Sequence, residues 1–298
     1  MKKLMCAISA AALCGAVFAD ITSANVVGYQ NKALTGDSMN DFVVRTMVPV
    51  GVEWEDVTLG DLTGTNQDED GNGGWDFGQD FLMTLQENGL VEETYAYITP
   101  YWATALAGDG YSCAGAGWYL YSDIEQEIFT NKQDAEKLNF RQGFKVNVQS
   151  GTAVTLNNAG EVINKGWIPV ALTGNSMNDF TGNITPVKIH IGDILGTDQD
   201  EDGNGGWDFG QDFLMTLLEN GLVKETYAYI TPYWAAALAG DGYECAGAGW
   251  YLYSDIEQEI FTNLQNDKVE FEPGQAFKVN IQSGTEVQLL FPSALGTK

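Results

Sequence analysis

The segment Phe144-Lys145-Val146-Asn147-Val148-Gln149 alternates apolar with polar side chains, and Phe277-Lys278-Val279-Asn280-Ile281-Gln282 repeats the pattern later in the chain. A period of two residues is typical of a β-strand with one buried face. After Ser150-Gly151 the alternation resumes with Val154 and Leu156. This two-residue break predicts a hairpin whose strands bury the same face.

Further strand signals lie on either side of this segment. Asn88-Gly89, a strong turn dipeptide, separates Phe81–Gln86 from Leu90–Thr99 and predicts a second hairpin. Strands are also expected at Val26–Leu34 and Gly117–Tyr121. Short strands at this regular spacing predict an all-β fold, a sandwich or a barrel-like structure with long loops.

One short helix is expected among the strands. Ser122-Asp123-Ile124-Glu125 has the form of a capping box, in which the serine and glutamate side chains accept hydrogen bonds from free amides at a helix start. The sequence therefore predicts a helix that runs from this box to Phe129.

The dominant organisational feature is an internal duplication. Asp61–Asn131 aligns with Asp193–Asn263, and the two blocks differ at seven positions. Each copy with its flanks has the length of a small domain and is too long for a solenoid repeat. The expected organisation is a signal peptide at residues 1–19, followed by two tandem homologous β domains at residues 20–160 and 161–298.

The amino terminus has the features of a secretory signal. Two lysines precede an apolar run from Leu4 to Val17, and Val17-Phe18-Ala19 forms the expected cleavage site. The run is too short for a membrane span, and no later segment approaches about 20 apolar residues. We expect secretion to the extracellular space, the cell surface or the periplasm. A lipoprotein acylated at Cys14 is disfavoured, because bulky Leu13 stands where a small residue is required.

Acidity dominates the composition. The chain carries 41 Asp and Glu against 14 Lys and Arg, and its charge of −27 becomes −29 when the two signal lysines are removed. Nucleic acid and anionic membranes are disfavoured as partners, because they would repel a protein with this much negative charge. The charge suits a cation-rich exterior, where metal ions offset part of the self-repulsion. The simpler alternative is that acidity keeps an exported protein soluble.

The most specific motif is an acidic loop, Asp68-Glu69-Asp70-Gly71-Asn72-Gly73-Gly74-Trp75-Asp76, which returns unchanged at Asp200–Asp208. Oxygen-bearing side chains at alternate positions, closed by glycine, match the first half of a calcium loop. Gln79 replaces the usual bidentate glutamate, so weak binding is expected. The predicted Ca²⁺ ligands are Asp68, Asp70, Asn72, Gly74, Asp76 and Asp80, and in the second copy Asp200, Asp202, Asn204, Gly206, Asp208 and Asp212.

Two alternatives to this assignment stay open. In a second register the loop begins at Asn66 or Asp198 and turns at Gly71 or Gly203, which supplies fewer carboxylates. In the other alternative, both acidic loops are solvated turns that bind no metal, and a recent duplication explains why their sequences are identical. The calcium assignment therefore rests on ligand spacing rather than on repetition.

Aromatic residues form a candidate sugar-binding surface. Tyr101 and Trp102 follow Pro100 at an expected strand end, and Tyr233 and Trp234 hold the same places in the second copy. Aromatic rings near acids and amides can stack on sugar rings, and two copies would add avidity. The favoured interpretation places most of the rings in the core, because alternate residues of a strand point inward, and it leaves Tyr101 and Trp102 as the pair expected at the surface.

Signals for catalysis are sparse. His190 is the only histidine, so a histidine-based triad or a His-ligated zinc site lacks partners. The paired carboxylates of a glycoside hydrolase are compatible with so acidic a chain, but no pair stands out. We therefore expect no enzyme. Cys113 and Cys245 occupy matching places in the two copies and are expected to be free, largely buried thiols.

The expected mature chain opens close to Ser23-Ala24-Asn25-Val26-Val27-Gly28-Tyr29. Gly143-Phe144-Lys145-Val146 and Gly274-Gln275-Ala276-Phe277-Lys278-Val279 stand near the ends of the copies, the latter with a G-x-x-F-x-V pattern. In these features the chain resembles uncharacterised, exported bacterial β-repeat proteins. The resemblance implies export and β structure. It does not extend to the acidic loop and implies no activity or site residues.

These features predict an exported, calcium-stabilised β-repeat protein that serves as a structural or interaction component of the cell surface or matrix. The expected partner is a polysaccharide or another surface protein. The alternative is a tandem carbohydrate-binding module, in which the two Tyr-Trp pairs form exposed, flat platforms. A glycoside hydrolase is less favoured than either.

Overall fold

The computed structural model describes strands, helices and connections in both copies of the duplication. The expected signal peptide and both acidic loops lie outside the described residues. No helix among the described residues is long and apolar enough to cross a membrane. The described residues are 27–34, 38–43, 46–47, 53, 56–65, 81–87, 90–138, 143–148, 154–162, 166–172, 177–196, 213–219, 222–281 and 287–293.

The first copy forms short strands interrupted by two α-helices. A 3-10 turn at Leu59–Asp61 precedes the third strand. In chain order the elements are β1 (Val27–Leu34), β2 (Ser38–Val43), β3 (Thr63–Thr65), β4 (Phe81–Glu87), β5 (Leu90–Ile98), α1 (Pro100–Gly108), β6 (Gly117–Leu120), α2 (Tyr121–Glu125), β7 (Gly143–Val148) and β8 (Val154–Glu161).

The second copy repeats this order and adds one two-residue strand pair. Its 3-10 turn lies at Ile191–Asp193. The elements are β9 (Trp167–Leu172), β10 (Met177–Gly182), β11 (Ile189–His190), β12 (Leu195–Gly196), β13 (Phe213–Glu219), β14 (Leu222–Ile230), α3 (Pro232–Gly240), β15 (Gly249–Leu252), α4 (Tyr253–Glu257), β16 (Glu270–Phe271), β17 (Ala276–Ile281) and β18 (Val287–Pro292).

All named strands pair in antiparallel sheets, which confirms the all-β fold. Each copy has a three-stranded sheet, ordered β1-β8-β3 or β9-β18-β12. Each also has a five-stranded sheet, ordered β2-β7-β4-β5-β6 or β10-β17-β13-β14-β15. None of these sheets closes on itself among the described strands, so they are open sheets rather than barrels.

Strand β7 has the predicted buried face but not the predicted partner. Phe144, Val146 and Val148 are buried, whereas Lys145 and Asn147 are partly exposed. The expected hairpin between β7 and β8 is wrong, because β7 pairs with β2 and β4 while β8 pairs with β1 and β3. Alternation specifies which face of a strand is buried, and it carries no information about the neighbouring strand. The chain here passes from one sheet to the other.

The hairpin predicted at Asn88-Gly89 is confirmed. Glu87 pairs with Leu90 across a two-residue connection, and β4 and β5 continue as antiparallel neighbours. Both copies have a register shift in this hairpin, which lies between Leu85 and Gln86 in the first. A local turn signal succeeds here because it joins strands that are adjacent in the chain.

Each copy buries two apolar clusters, one on each face of its five-stranded sheet. The inner cluster receives side chains from both sheets of the copy, as in a sandwich. The outer cluster lies between the five-stranded sheet and the helices. In the first copy the inner cluster includes Leu34, Met83, Trp118, Phe144 and Leu156, and the outer cluster comprises Ala96, Ile98, Leu106, Tyr119, Ile124 and Phe129.

The two copies are in contact around Val43. This first-copy residue is buried within the inner cluster of the second copy, and its amide donates to the carbonyl oxygen of Gly274 at 2.8 Å. The contacts are reciprocal, since β2 touches β17 and β13 while β10 touches β7 and β4. The copies therefore share a packed interface. Their division into tandem domains at residues 20–160 and 161–298 stays a prediction.

The capping box predicted for the short helix is wrong. Helix α2 begins at Tyr121, directly after β6, and its N-cap residue Leu120 makes no side-chain cap. The helix ends at Glu125 rather than at Phe129. Ser122 lies inside the helix because the extended backbone of β6 runs to Leu120 and leaves no room for a separate cap.

Candidate functional site

Helix α1 is positioned by its first residues. The Thr99 hydroxyl oxygen accepts a hydrogen bond from the Trp102 amide at 3.3 Å, and Pro100 occupies the first turn. Thr231 and Pro232 start α3 in the same way. Pro100 does follow a strand, as expected, but it also starts a helix that the sequence analysis missed. The helix places Trp102 against the outer cluster and leaves Tyr101 at the surface.

The two candidate aromatic pairs have the same geometry. Tyr101 is 43% exposed and Tyr233 is 44% exposed, whereas Trp102 and Trp234 are half-buried against the outer clusters. The ring centroids in each pair lie 5.5 Å apart, with the rings at 86°. Perpendicular rings do not form one flat platform. One tyrosine ring per copy is thus the main exposed aromatic surface of the pair.

A second exposed aromatic residue follows each helix, and the sequence analysis missed it. Tyr111 is 40% exposed and its counterpart Tyr243 is 39% exposed. The Tyr111 ring stands edge-on to buried Phe129 at 5.4 Å, and Ile128 beside it is also exposed. No periodic signal marks Tyr111. Its recurrence in both copies was the available indication.

We use "outer layer" for α1, α2 and the segment that follows each of them in the first copy. In the second copy the same term covers α3, α4 and the segments that follow them. Its exposed apolar side chains are Tyr101, Tyr111 and Ile128, and Tyr233, Tyr243 and Ile260.

The cysteines contribute to the packing of the outer layer. Both thiols are free, as predicted, and half-buried rather than largely buried. The Cys113 sulfur lies 3.9 Å from the carbonyl oxygen of Gly115, to which the Tyr119 hydroxyl donates at 2.7 Å. Burial, reinforced by Cys113, raises the pKa of Tyr119, so its phenol stays neutral and keeps donating. This arrangement has the features of a structural clamp.

The predicted calcium ligands all lie outside the described residues, so the structure tests none of them. Strand β3 ends at Thr65 before the first loop, and β4 begins at Phe81 after it. In the second copy the flanking residues are Gly196 and Phe213. Each acidic loop therefore joins the three-stranded sheet to the middle of the five-stranded sheet. Among the described residues, no group of three or more His, Cys, Asp or Glu could hold a metal ion.

The negative charge is concentrated in the duplicated blocks. Asp61–Asn131 contains 13 acidic and no basic residues, and Asp193–Asn263 contains 14 acidic residues and Lys224. Each block therefore has a formal charge of −13. The rest of the chain is nearly neutral, with 14 acidic and 13 basic residues. The acidity thus belongs to the segments that contain the acidic loops and the outer layers, rather than to the chain as a whole.

His190 lies beside two exposed carboxylates. Its Nδ1 is 3.5 Å from Asp193 Oδ2, and its Nε2 is 3.5 Å from Glu270 Oε1. All three side chains are about half exposed. Thr58 takes the place of His190 in the first copy, so the group is not duplicated. Its geometry is that of a surface cluster of polar and charged side chains, and the expectation of a non-enzyme stays a prediction.

Comparisons with protein-family models, with curated proteins and with solved structures gave no match. The resemblance to exported bacterial β-repeat proteins therefore stays a prediction.

Proposed function

We propose that this chain is an exported, calcium-stabilised β protein that acts as an interaction component of the cell surface or matrix. The observation that supports this best is the duplicated outer layer. Tyr101, Tyr111 and their counterparts Tyr233 and Tyr243 have nearly equal exposure in the two copies. Two equivalent surfaces on one chain allow two attachments, and the second then benefits from high effective concentration.

The charge distribution supports the same proposal. Exposed aromatic side chains and a net charge of −13 occur in the same duplicated block. Such a surface attracts Ca²⁺ and partners with cationic groups, and it repels other anionic surfaces. The acidic loops within these blocks supply carboxylate and amide oxygens, the ligands that Ca²⁺ prefers.

A tandem carbohydrate-binding module is the second candidate function. The exposed rings of Tyr101 and Tyr233 favour it, because a single tyrosine ring can stack on one sugar. The Trp102 and Trp234 rings are perpendicular to the neighbouring tyrosine rings, so each pair offers a sugar less stacking area than a flat platform does. Polysaccharide binding through this surface would therefore depend strongly on avidity between the copies.

Saturable binding to isolated cell envelopes and to purified polysaccharides tests the proposal. Labelled protein is applied either with about 2 mM Ca²⁺, which is enough to load a weak extracellular calcium module, or with chelator. We expect saturable, calcium-dependent retention on envelopes. Retention on pure polysaccharide that is lost in Tyr101→Ala with Tyr233→Ala would favour the carbohydrate-binding module. No saturable retention on either material would refute both functions.

A further inference from the structure

Each five-stranded sheet is extended at its β6 or β15 edge by a segment that is mostly irregular and that ends in β16 in the second copy. We call residues 131–138 and residues 263–271 the closing segments. The amide of Gln133 donates to the carbonyl oxygen of Trp118 at 2.7 Å, and the equivalent bond in the second copy measures 2.8 Å. Strands β6 and β15 have the same sequence. Neither strand therefore distinguishes one closing segment from the other.

The closing segments also pair with the 3-10 turns. The amide of Leu59 donates to the carbonyl oxygen of Glu136 at 2.9 Å, and that of Ile191 donates to Val269 at the same distance. These bonds join equivalent backbone groups, although the second closing segment has one more residue than the first between its two bonded positions. If a closing segment were exchanged between copies, it would still meet equivalent backbone donors and acceptors at its two ends.

Charged side chains do distinguish the copies. Lys137 Nζ lies 2.6 Å from Asp56 Oδ1 in the first copy. Lys188 takes the place of Asp56 in the second copy, and Glu270 takes the place of Lys137. Backbone pairing establishes this equivalence. Lys137 is bridged to Thr58, two residues after Asp56, and Glu270 is bridged to His190, two residues after Lys188. Each copy thus has an ion pair at this position, but the acidic and the basic residue have exchanged places between the copies. We call this difference the inverted polarity of the pair.

The second-copy pair is part of a small network. Lys188 Nζ lies 3.9 Å from Glu270 Oε2 and 2.5 Å from Glu272 Oε1. The hydrogen bond to Glu272 and the two carboxylate charges raise the pKa of Lys188. All of these side chains are more than half exposed, so each ion pair alone adds little to stability.

We propose that the inverted polarity keeps each closing segment paired with its own copy while the chain folds. In an exchanged pairing Asp56 would face Glu270, and Lys188 would face Lys137. Two attractions would become two repulsions, and the sum of these small differences favours native pairing on the order of tenfold. Nearly identical neighbouring repeats are prone to misassembly, and this device would act against it.

Removing the inversion while keeping both ion pairs tests this proposal. Asp56→Lys with Lys137→Glu gives the first copy the polarity of the second, so every native pair stays attractive. Wild type and variant are unfolded in denaturant and refolded at several protein concentrations. We expect the same stability for the native protein but a several-fold larger misfolded fraction. That fraction should persist at the lowest concentration, because the exchange occurs within one chain.

A second variant restores the inversion with opposite signs. Lys188→Asp, Glu270→Lys and Glu272→Asn are added to Asp56→Lys and Lys137→Glu. Recovery of the wild-type refolding yield would support the proposal. Equal yields for wild type and the first variant would overturn it. Equal losses in both variants would also overturn it, since the charges would then matter for the native state rather than for the choice of partner.

Discussion

Tyr101 and Trp102 are neighbours in sequence but lie in different environments. The Trp102 ring is half-buried and packs against the outer cluster, whereas Tyr101 lies at the surface. A large side chain that joins a cluster contributes to stability through buried apolar area, which an exposed ring does not. Variants of the two residues can therefore separate an effect on folding from an effect on the proposed binding, and their counterparts Trp234 and Tyr233 allow the same comparison.

Trp102→Ala with Trp234→Ala should lower the free energy of unfolding by about 2 kcal/mol per copy, because each change leaves a cavity in an outer cluster. Tyr101→Ala with Tyr233→Ala should change it by less than about 1 kcal/mol. Urea unfolding followed by tyrosine and tryptophan fluorescence measures both. If the tryptophan variant keeps wild-type stability but loses polysaccharide binding, the tryptophans are ligand platforms instead.

Buried tyrosines predict a loss of stability at alkaline pH. Burial, helped by the carboxylates of Glu136, Glu93 and Glu92, raises the pKa of Tyr95 to about 12. The phenol ionises near pH 10 in the unfolded chain. Stability from Tyr95 is therefore complete below about pH 10 and falls by roughly 1.4 kcal/mol per pH unit between about 10 and 12.

Unfolding free energies measured across this range check the prediction. Burial also raises the pKa of Tyr119, Tyr227 and Tyr251, so the total decline should be steeper than Tyr95 alone provides. Tyr95→Phe removes one ionisable hydroxyl and should make the decline shallower. A decline that is unchanged in this variant would assign the alkaline sensitivity to other groups.

At the scale of elements, the end of α2 uses an unusual residue. Glu127 has a φ of 59°, a left-handed conformation that favours glycine. Its amide donates to the carbonyl oxygen of Ile124 at 3.0 Å, and the amide of Ile128 donates to the carbonyl oxygen of Asp123 at 2.8 Å, which is the bond pattern of a Schellman motif. Glu259 has the same conformation at the end of α4. Both helix ends therefore carry local strain.

Glu127→Gly should raise the free energy of unfolding by about 0.5–1 kcal/mol, because glycine adopts this conformation without a Cβ clash. The matched control is Glu125→Gly, which removes the same charge from a right-handed helical position and should destabilise by a similar amount. Thermal and urea unfolding compare the two. Stabilisation by both changes would point to relief of charge repulsion rather than of backbone strain.

The elements show which predictions local sequence can support. The β4–β5 hairpin was predictable because Asn88-Gly89 fixes a turn between adjacent strands. The β7–β8 hairpin was not, because β7 joins β2 and β4, whose residues are distant in sequence. The start of α1 also has a local sequence signal. Thr99 before Pro100 is a good N-cap, and the alanines that follow favour helix.

At the scale of the whole molecule, the contact between the copies could not be predicted from the duplication. Strands β2, β7, β10 and β17 contribute to it and lie outside the nearly identical blocks, whereas β4 and β13, which β10 and β2 touch, lie inside them. The sequence in these strands specifies a buried face but not which copy covers it. The reciprocal pattern, in which β2 touches β17 and β10 touches β7, is that of an isologous dimer interface built within one chain.

Calcium is the expected link between the acidic blocks and the stability of the whole molecule. Asp68, Asp70 and Asp76 place like charges in a short loop, and they repel each other unless a cation lies among them. Without a bidentate glutamate the affinity should resemble that of extracellular modules, with a Kd on the order of 10⁻⁴–10⁻³ M. At about 2 mM Ca²⁺ and a Kd of about 10⁻⁴ M, each loop would gain roughly 1.8 kcal/mol of folded-state stability.

Melting temperatures with Ca²⁺, Mg²⁺ and chelator test this prediction. Ca²⁺ should raise the Tm more than Mg²⁺, which gives up its water reluctantly and requires near-ideal octahedral geometry. Asp68→Ala with Asp200→Ala should abolish the Ca²⁺-dependent rise but leave the Tm in chelator almost unchanged, since the lost carboxylates stabilise only through the ion. An equal rise in wild type and variant would show that the loops are acidic turns and that calcium acts elsewhere.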